Sequence, residues 1–258
     1  MPKKNKNYPK VSIITVTRNS EKYLEKCIRS VIAQSYKNIE YIIIDGKSVD
    51  KTTDIIKKYE KQISFWISEK DKGLYDALNK GVSYAKGDFL GFLHSDDFFS
   101  NSDVIEKIAT ALKSEEYDFV HSGLKIVKQN NIAKTIRYMK IPKFNLFKMK
   151  IGLIPPHPTI YYRRHLHNTY GYYDNSFSIA GDYDMVLRFM LSGKLKYKYL
   201  NIISVIMRSG GKSNRGISSK LKINEEILRS AKINNFNTNF LYLLIKIPFR
   251  LTEFLFKK

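Results

Sequence analysis

The sequence predicts an α/β protein, a single domain with a mostly parallel central sheet flanked by helices, followed by a helical C-terminal extension. Three observations carry that prediction. Apolar runs of strand length alternate with segments of helical period through the first half of the chain, the pattern of strand–helix–strand units with right-handed crossovers. Polar residues gather just after those runs, where an open parallel sheet binds its ligands. With 258 residues, 43% of them hydrophobic, the chain can fill one large core.

Val11–Thr17 reads as a buried strand, and Leu24, Cys27, Ile28, Val31 and Ile32 follow at helical spacing. Tyr41–Ile44 repeats the strand, Asp45–Asp50 the loop and residues 52–61 the helix. Ile63–Ile67 is a third, short strand, and Leu74, Ala77, Leu78, Val82 and Ala85 mark a helix stopped by Gly87. Residues 87–97 then form an apolar run ending in two adjacent carboxylates, Asp96 and Asp97. Like charges so close raise each other's pKa unless a cation neutralises them, so the pair suggests a divalent metal. An Asp-Asp turn that only caps the next helix is the alternative. Asn101 or Ser102 caps a helix through Lys113, and Tyr117–His121 is a further strand. The alternation then breaks down. Residues 125–127 and 132–138 flank Gln129-Asn130-Asn131 as a hairpin. Thr159–Arg163 is a short strand, Asp182–Leu191 a helix closed by Gly193, Leu195–Met207 a strand and Leu221–Ile233 a helix.

A net charge of +21, from 45 Lys and Arg against 24 Asp and Glu, implies an acidic partner: nucleic acid, anionic lipid or a phosphorylated substrate. From Leu124 to Tyr170 there are ten Lys or Arg and no Asp or Glu, so the basic surface and the carboxylates belong to different parts of the chain. The single cysteine, Cys27, excludes an internal disulfide and fits a reducing compartment. Its place on an apolar helical stripe makes it a core thiol rather than a nucleophile. The short apolar run after the basic N-terminus is a strand, not a signal segment, which gives a cytoplasmic expectation. Neither Gly-x-Gly-x-x-Gly nor Gly-x-x-x-x-Gly-Lys-Ser/Thr occurs, which disfavours dinucleotide dehydrogenases and P-loop enzymes.

Four stretches taken in order carry a more specific signal: Val11–Asn19, Ile43–Thr52, Ser68–Gly81 and the strand end His94-Ser95-Asp96-Asp97. Together they resemble the family 2 glycosyltransferases over residues 10–210, most of all the bacterial members that build surface polysaccharides. The resemblance implies a GT-A fold, an inverting transfer from a nucleotide sugar, with a UDP-sugar favoured over GDP- or TDP-sugars, and Mg2+ or Mn2+ as cofactor. On it, Thr15, Thr17 and Asn19 would line the donor, Asp45 would contact the nucleobase and Asp71 would hold the nucleoside. Asp96 and Asp97 would be the DxD-like pair touching ribose and metal, with Asp97 the leading metal ligand.

Gly181–Arg188 resembles the family's later acidic motif, in which Asp182 would be the general base that deprotonates the acceptor hydroxyl. A helix-terminal acid held by the dipole is the alternative. Many relatives carry Glu-Asp where this chain has Gly181-Asp182, and Asp184 reads as structural. His157, in Pro155-Pro156-His157-Pro158, matches a recurrent His of similar enzymes and would contact diphosphate, acceptor or metal, with a structural histidine as the alternative. Arg208 and Lys212, in a basic Gly-containing loop, would close over the pyrophosphate, with a plain surface turn as the alternative.

The implied domain covers residues 1–215, its nucleotide-sugar part 10–122 and its acceptor and catalytic part 123–215, and residues 216–258 form the extension. Phe240–Lys258 alternates apolar residues with flanking cations, suited to a membrane interface, to packing on the domain or to another subunit. With the acid-free stretch it favours an anionic membrane surface over nucleic acid, and a glycan or polyprenyl-diphosphate-linked acceptor. The enzyme would then be cytoplasmic or peripheral on the inner face of the cytoplasmic membrane, with a homo-oligomer open. A basic nucleic-acid-binding protein would leave the acidic strand ends unexplained. A sugar nucleotidyltransferase would call for a glycine-rich N-terminal phosphate loop, which this chain lacks.

Overall fold

The computed structural model describes residues 8–114, 116–211 and 216–255, with the side chains of 217 and 249–255 excepted. Strands β1 (Val11–Thr17), β2 (Ile39–Asp45), β3 (Phe65–Ser68) and β4 (Phe89–Phe92) pair in parallel in the order β3-β2-β1-β4. β1 is buried along its whole length, as expected of a strand covered on both faces. Its side chains alternate between two cores. Val11 and Ile13 pack with helices α1 (Leu24–Ile32), α2 (Thr52–Lys58) and α4 (Val104–Lys113), whereas Ile14 and Val16 pack with α3 (Leu74–Tyr84) and the C-terminal helices.

The second half extends the same sheet. β5 (Phe98–Phe99), β6 (Phe119–Lys128), β7 (Asn131–Met139), β8 (Ile160–Arg163) and β9 (Tyr197–Arg208) complete the order β3-β2-β1-β4-β8-β6-β9-β5, with β7 on β6. β8 runs antiparallel to both β4 and β6, while β9 runs parallel to β6. Helices α5 (Leu146–Lys150), α6 (Leu166–Tyr170), α7 (Gly181–Leu191), α8 (Ile217–Ile233) and α9 (Phe240–Leu255) follow in chain order. Ile227 of α8 and Leu243 of α9 are buried in the core that α3 and α7 share, so the extension is packed into the domain.

Several boundaries differ from expectation. The expected strand Tyr117–His121 begins only at Phe119, and it and residues 125–127 belong to one strand, β6, interrupted by a bulge near Gly123 where its register on β9 shifts. Neither Asn101 nor Ser102 caps α4: Asp103 stands at its N-cap without a side-chain bond. Ile32 faces outward from α1, and α8 begins four residues before the sequence periodicity starts. The central arrangement holds, and the carboxyl ends of β1, β2, β3 and β4 share one edge.

Candidate active site

The acidic strand end is built around a close backbone contact. Gly91 of β4 lies opposite Tyr161 of β8, and a Cβ at Gly91 would sit 2.1 Å from the tyrosine ring. The chain then turns through His94, with the Asp97 N–H donating to the His94 carbonyl at 2.9 Å. The Ser95 hydroxyl meets that of Ser20 at 2.9 Å, which ties this turn to the loop after β1. Asp97 is 1% exposed and its Oδ1 accepts the Arg208 backbone N–H at 3.1 Å. Burial, with the neighbouring Asp96 charge second, pushes the Asp97 carboxyl well above the usual carboxylate range.

Arg208 is not a loop residue. It ends β9, buried, with its guanidinium over the rings of Tyr23 and Phe98 at 4.9 and 5.1 Å. Nη1 donates to the Asp96 carbonyl at 2.6 Å, while Nε has no partner among the described residues. Lys212, expected beside it, lies outside the described residues.

Asp96 and Asp97 fit a divalent cation by their chemistry: two adjacent carboxylates, Asp97 buried and Asp96 half-buried, offer hard oxygen donors, and the Arg208 guanidinium is spent on the Asp96 carbonyl. No cluster of three metal-ligating side chains occurs among the described residues. A cation here would therefore complete its shell from substrate oxygens and water, the usual habit of Mg2+.

The loops after β1, β2 and β3 meet beside this mouth. Asp45 is fully buried and accepts from the Ser48 N–H at 2.9 Å and the Ser68 hydroxyl at 2.6 Å. The Asp71 carboxylate lies against Gly46, where a Cβ would stand 2.1 Å from its Oδ2, so only glycine lets the β2 and β3 loops approach this closely. Asn19 adopts a left-handed conformation (φ 50°) and locks onto the β2 loop, its N–H donating to the Ser48 hydroxyl and its Oδ1 accepting the Val49 N–H. The buried Thr17 hydroxyl has no partner among the described residues, the condition of a group that a ligand would satisfy. Thr15 is different. It lies on the same face of β1 as Thr17 but one step deeper, where its hydroxyl bonds the Tyr41 hydroxyl at 3.2 Å in the core beneath α1, so its side chain does not reach the site.

Asp182 stands in the first turn of α7. Gly181 lies on the ring of Tyr75, with room for no side chain: a Cβ would come within 2.9 Å of three ring carbons. The Asp182 N–H donates to the Tyr75 hydroxyl at 3.4 Å, and Oδ1 accepts the Tyr183 N–H at 2.9 Å. Burial pushes the Asp182 carboxyl up to about 6.

A chain of contacts joins this carboxylate to the acidic pair. Tyr75 stacks on Tyr173 at 5.7 Å, Tyr173 hydrogen-bonds His157, and His157 stacks on Phe92 of β4 and lies 5.7 Å from His94. His157 is thus buried, and its tautomer follows from its neighbours. The Gly171 carbonyl can only accept, so His167 Nδ1 carries the proton it shares at 3.2 Å, and His167 is neutral because burial lowers its pKa to about 4. Tyr162 then donates to His167 Nε2, Tyr173 to Tyr162, and His157 Nε2–H to Tyr173 at 2.8 Å. That assignment leaves His157 Nδ1 as an acceptor.

Tyr75, Tyr173 and Glu226 were not singled out by the sequence reading. Tyr75 lies within a quoted stretch but looks like one more core aromatic. Glu226 sits in a polar helix where a charge ordinarily marks a solvated face.

A mostly parallel sheet, with an adjacent aspartate pair among the loops at its carboxyl edge and a raised carboxylate on a separate helix, has the architecture of a GT-A glycosyltransferase. The sequence model of Glycosyl transferase family 2 matches residues 12–177, and the chain belongs to that family. An uncharacterized glycosyltransferase of Mycobacterium tuberculosis is 36% identical over 188 residues, covering 70% of this chain and 68% of the relative. A PGL/p-HBAD biosynthesis glycosyltransferase of Mycobacterium bovis is 28% identical over 211 residues, 80% of each chain. Among solved structures, S. aureus TarS 1-349 with UDP-GlcNAc superposes with a TM-score of 0.67 at 20% identity. The match covers 86% of this chain and 66% of that one, so this chain spans about two thirds of TarS 1-349. The mannosyltransferase PcManGT of Pyrobaculum calidifontis, with GDP-Man and Mn2+, superposes with a TM-score of 0.65 at 16% identity, covering 92% of this chain and 68% of that one. These two likenesses establish the fold.

Proposed function

We propose that the protein is an inverting, metal-dependent transferase that moves a sugar from a nucleotide-sugar donor, preferably a UDP-sugar, to a hydroxyl of a glycan or lipid-linked acceptor in bacterial surface polysaccharide synthesis. The observation that carries this reading is Asp182, a half-buried carboxylate raised to about 6 and joined through Tyr75, Tyr173 and His157 to the acidic pair. Near neutral pH it is ionised yet a stronger base than an exposed aspartate. It accepts the acceptor hydroxyl proton as that oxygen attacks the anomeric carbon, and the sugar–phosphate bond breaks on the opposite side. Asp45, Asp71 and Asn19 fix the nucleoside end, and Thr17 offers its unpartnered hydroxyl to the donor. Asp96 and Asp97 hold Mg2+ or Mn2+, which when bound stabilises the charge of the departing nucleoside diphosphate. The buried Arg208 guanidinium holds the turn that carries both. His157, neutral, presents Nδ1 as an acceptor to donor or acceptor hydroxyls.

The nucleotides in the solved relatives, UDP-GlcNAc in one and GDP-Man with Mn2+ in another, support a sugar-nucleotide donor and a divalent cation. Calorimetry with UDP, GDP and TDP, with and without Mn2+, tests the donor reading. Tightest binding of UDP in the presence of Mn2+ is expected, and no metal-dependent binding of any of the three overturns the proposal.

A further inference from the structure

We propose that helix α8 belongs to the catalytic machinery, with Glu226 the positioning residue that holds the turn in front of Asp182. The inference rests on the reading of Asp182 as the base. The N-cap residue of α7, Ala180, has no side-chain acceptor, and the backbone N–H groups of the turn that leads into the helix, at Ser178, Ile179 and Ala180, need acceptors from elsewhere. Glu226 supplies the acceptor from 46 residues further along the chain. It is 2% exposed, Oε1 accepts the Ser178 N–H at 2.9 Å, and Oε2 accepts those of Ile179 and Ala180 at 2.9 and 2.8 Å. A buried carboxylate receiving three backbone N–H bonds stays ionised: they hold it below its usual range against the opposing effect of burial.

The same helix grips the other side of Asp182. Ser230 and Asn234, at i+4 and i+8 from Glu226 and so on the same face, both donate to Oδ1 of Asp184, at 2.8 and 2.9 Å. Arg188 donates to the other oxygen of Asp184 at 3.0 Å. The residues before and after Asp182 are therefore held by α8, and Gly181 between them is pressed on Tyr75. The titratable groups that bear on Asp182 are Tyr75 from α3, Tyr173 from the turn after α6 and Glu226 from α8. Of these only Glu226 is charged at neutral pH, and its negative charge favours the protonated form of Asp182.

The test is sugar transfer by the full chain as a function of pH for wild type, E226Q, E226D and D182N, with donor KM and thermal unfolding measured alongside. E226Q is expected to lower kcat on the order of ten- to a hundredfold through misplacement of the base, to leave donor KM within about twofold, and to move the acidic limb of the kcat profile to lower pH. The sign follows from removing a negative charge beside Asp182, which makes that carboxyl easier to ionise. E226D keeps the charge but loses reach, so kcat falls while the limb stays in place. Ile227→Val, a neighbouring core change on α8, serves as the stability control and is expected to lower the unfolding temperature without moving the limb. A wild-type limb and kcat in E226Q, or the same kinetic change in I227V, overturns the assignment. If D182N turns over normally the base reading fails. If D182N is inactive while E226Q matches wild type, only the role of Glu226 fails.

Discussion

Asp182 and Thr15 make opposite predictions from the same kind of observation, the place that a strand-end or helix-end side chain takes. Asp182 has a pKa raised to about 6, so as the base it is active only when ionised, and kcat should rise with pH through a midpoint near 6. Asp182→Asn removes the acceptor for the proton and should lower kcat roughly a hundred- to ten-thousandfold, with donor binding by calorimetry retained. The stability consequence has a definite sign. Folding raises this pKa, so the folded state loses stability as pH climbs from the unfolded value near 4 towards 6. The neutral asparagine lacks that loss. The variant should therefore unfold at a higher temperature than wild type at pH 7.5, and the difference should close below pH 4 in thermal scans. Thr15→Val, by contrast, should leave donor KM unchanged and cost about 1 kcal/mol in urea unfolding, since its hydroxyl is spent on Tyr41 in the core. Asp96 and Asp97 stood out in the sequence because two adjacent carboxylates end an apolar run, and Asp182 stood out only through the resemblance of Gly181–Arg188 to the family's later acidic motif. The role of Thr15 was not legible, because Thr15 and Thr17 share one face of β1 and only depth separates them: the Thr15 hydroxyl is spent on Tyr41, while that of Thr17 is unpartnered among the described residues.

At the scale of elements, legibility followed burial. β1 and β2 are covered on both faces and read as unbroken apolar runs, so their ends were placed within two residues, whereas the run over 87–97 holds a strand only at Phe89–Phe92 and its acidic pair sits in the turn beyond. β6 read as two pieces because Ser122 and Gly123 interrupt it with a polar residue and a bare backbone. In the fold the Ser122 hydroxyl pairs with that of Ser204 on β9, and the strand continues through the bulge. α8 could be found but not interpreted. Its contact at 226 with the turn before α7 and those at 230 and 234 with α7 itself look, in sequence, like the solvated side of an amphipathic helix. Gly91 gives the sharpest test at this scale. The added methyl of Gly91→Ala would overlap the ring of Tyr161 at 2.1 Å, and that ring, fully buried between strands, has no free space to move into. A loss of about 1–3 kcal/mol in urea unfolding is expected. Because β4 feeds directly into His94–Asp97, the same variant should weaken Mn2+-dependent UDP binding, and unchanged binding would show that the turn is held by Arg208 and Ser20 alone.

For the whole molecule the unresolved matter of charge and apolar surface comes together on one side. The acid-free stretch from Leu124 to Tyr170 includes α5, whose Leu146 and Phe147 are exposed, Phe147 to 52%. α9 docks beside it, with the Thr238 hydroxyl donating to the Lys150 carbonyl at 2.6 Å and the Lys150 ammonium 4.2 Å over the Tyr242 ring. α9 exposes Phe240, Leu241, Leu244 and Ile247 in turn, Leu241 to 71%. No described helix is long and apolar enough to cross a membrane. We propose from the exposed apolar residues and the neighbouring lysines that this surface lies on one. Its apolar residues would enter the interface while Lys143, Lys148 and Lys150 face anionic headgroups, bringing the site to a lipid-linked acceptor. The protein is expected to float with vesicles containing phosphatidylglycerol and to remain at the bottom of the gradient with pure phosphatidylcholine. Raising the salt to about 0.5 M, where the screening length falls below roughly 5 Å, should weaken flotation without abolishing it, because the apolar part is not screened. Replacing Phe147 and Leu241 together by serine removes on the order of 3 kcal/mol of apolar transfer, about a hundredfold in partitioning, while transfer to a soluble glycan acceptor stays as in wild type. Absence of flotation together with a concentration-dependent mass in sedimentation, lost in the same double variant, would instead make this face the contact between two copies of the chain.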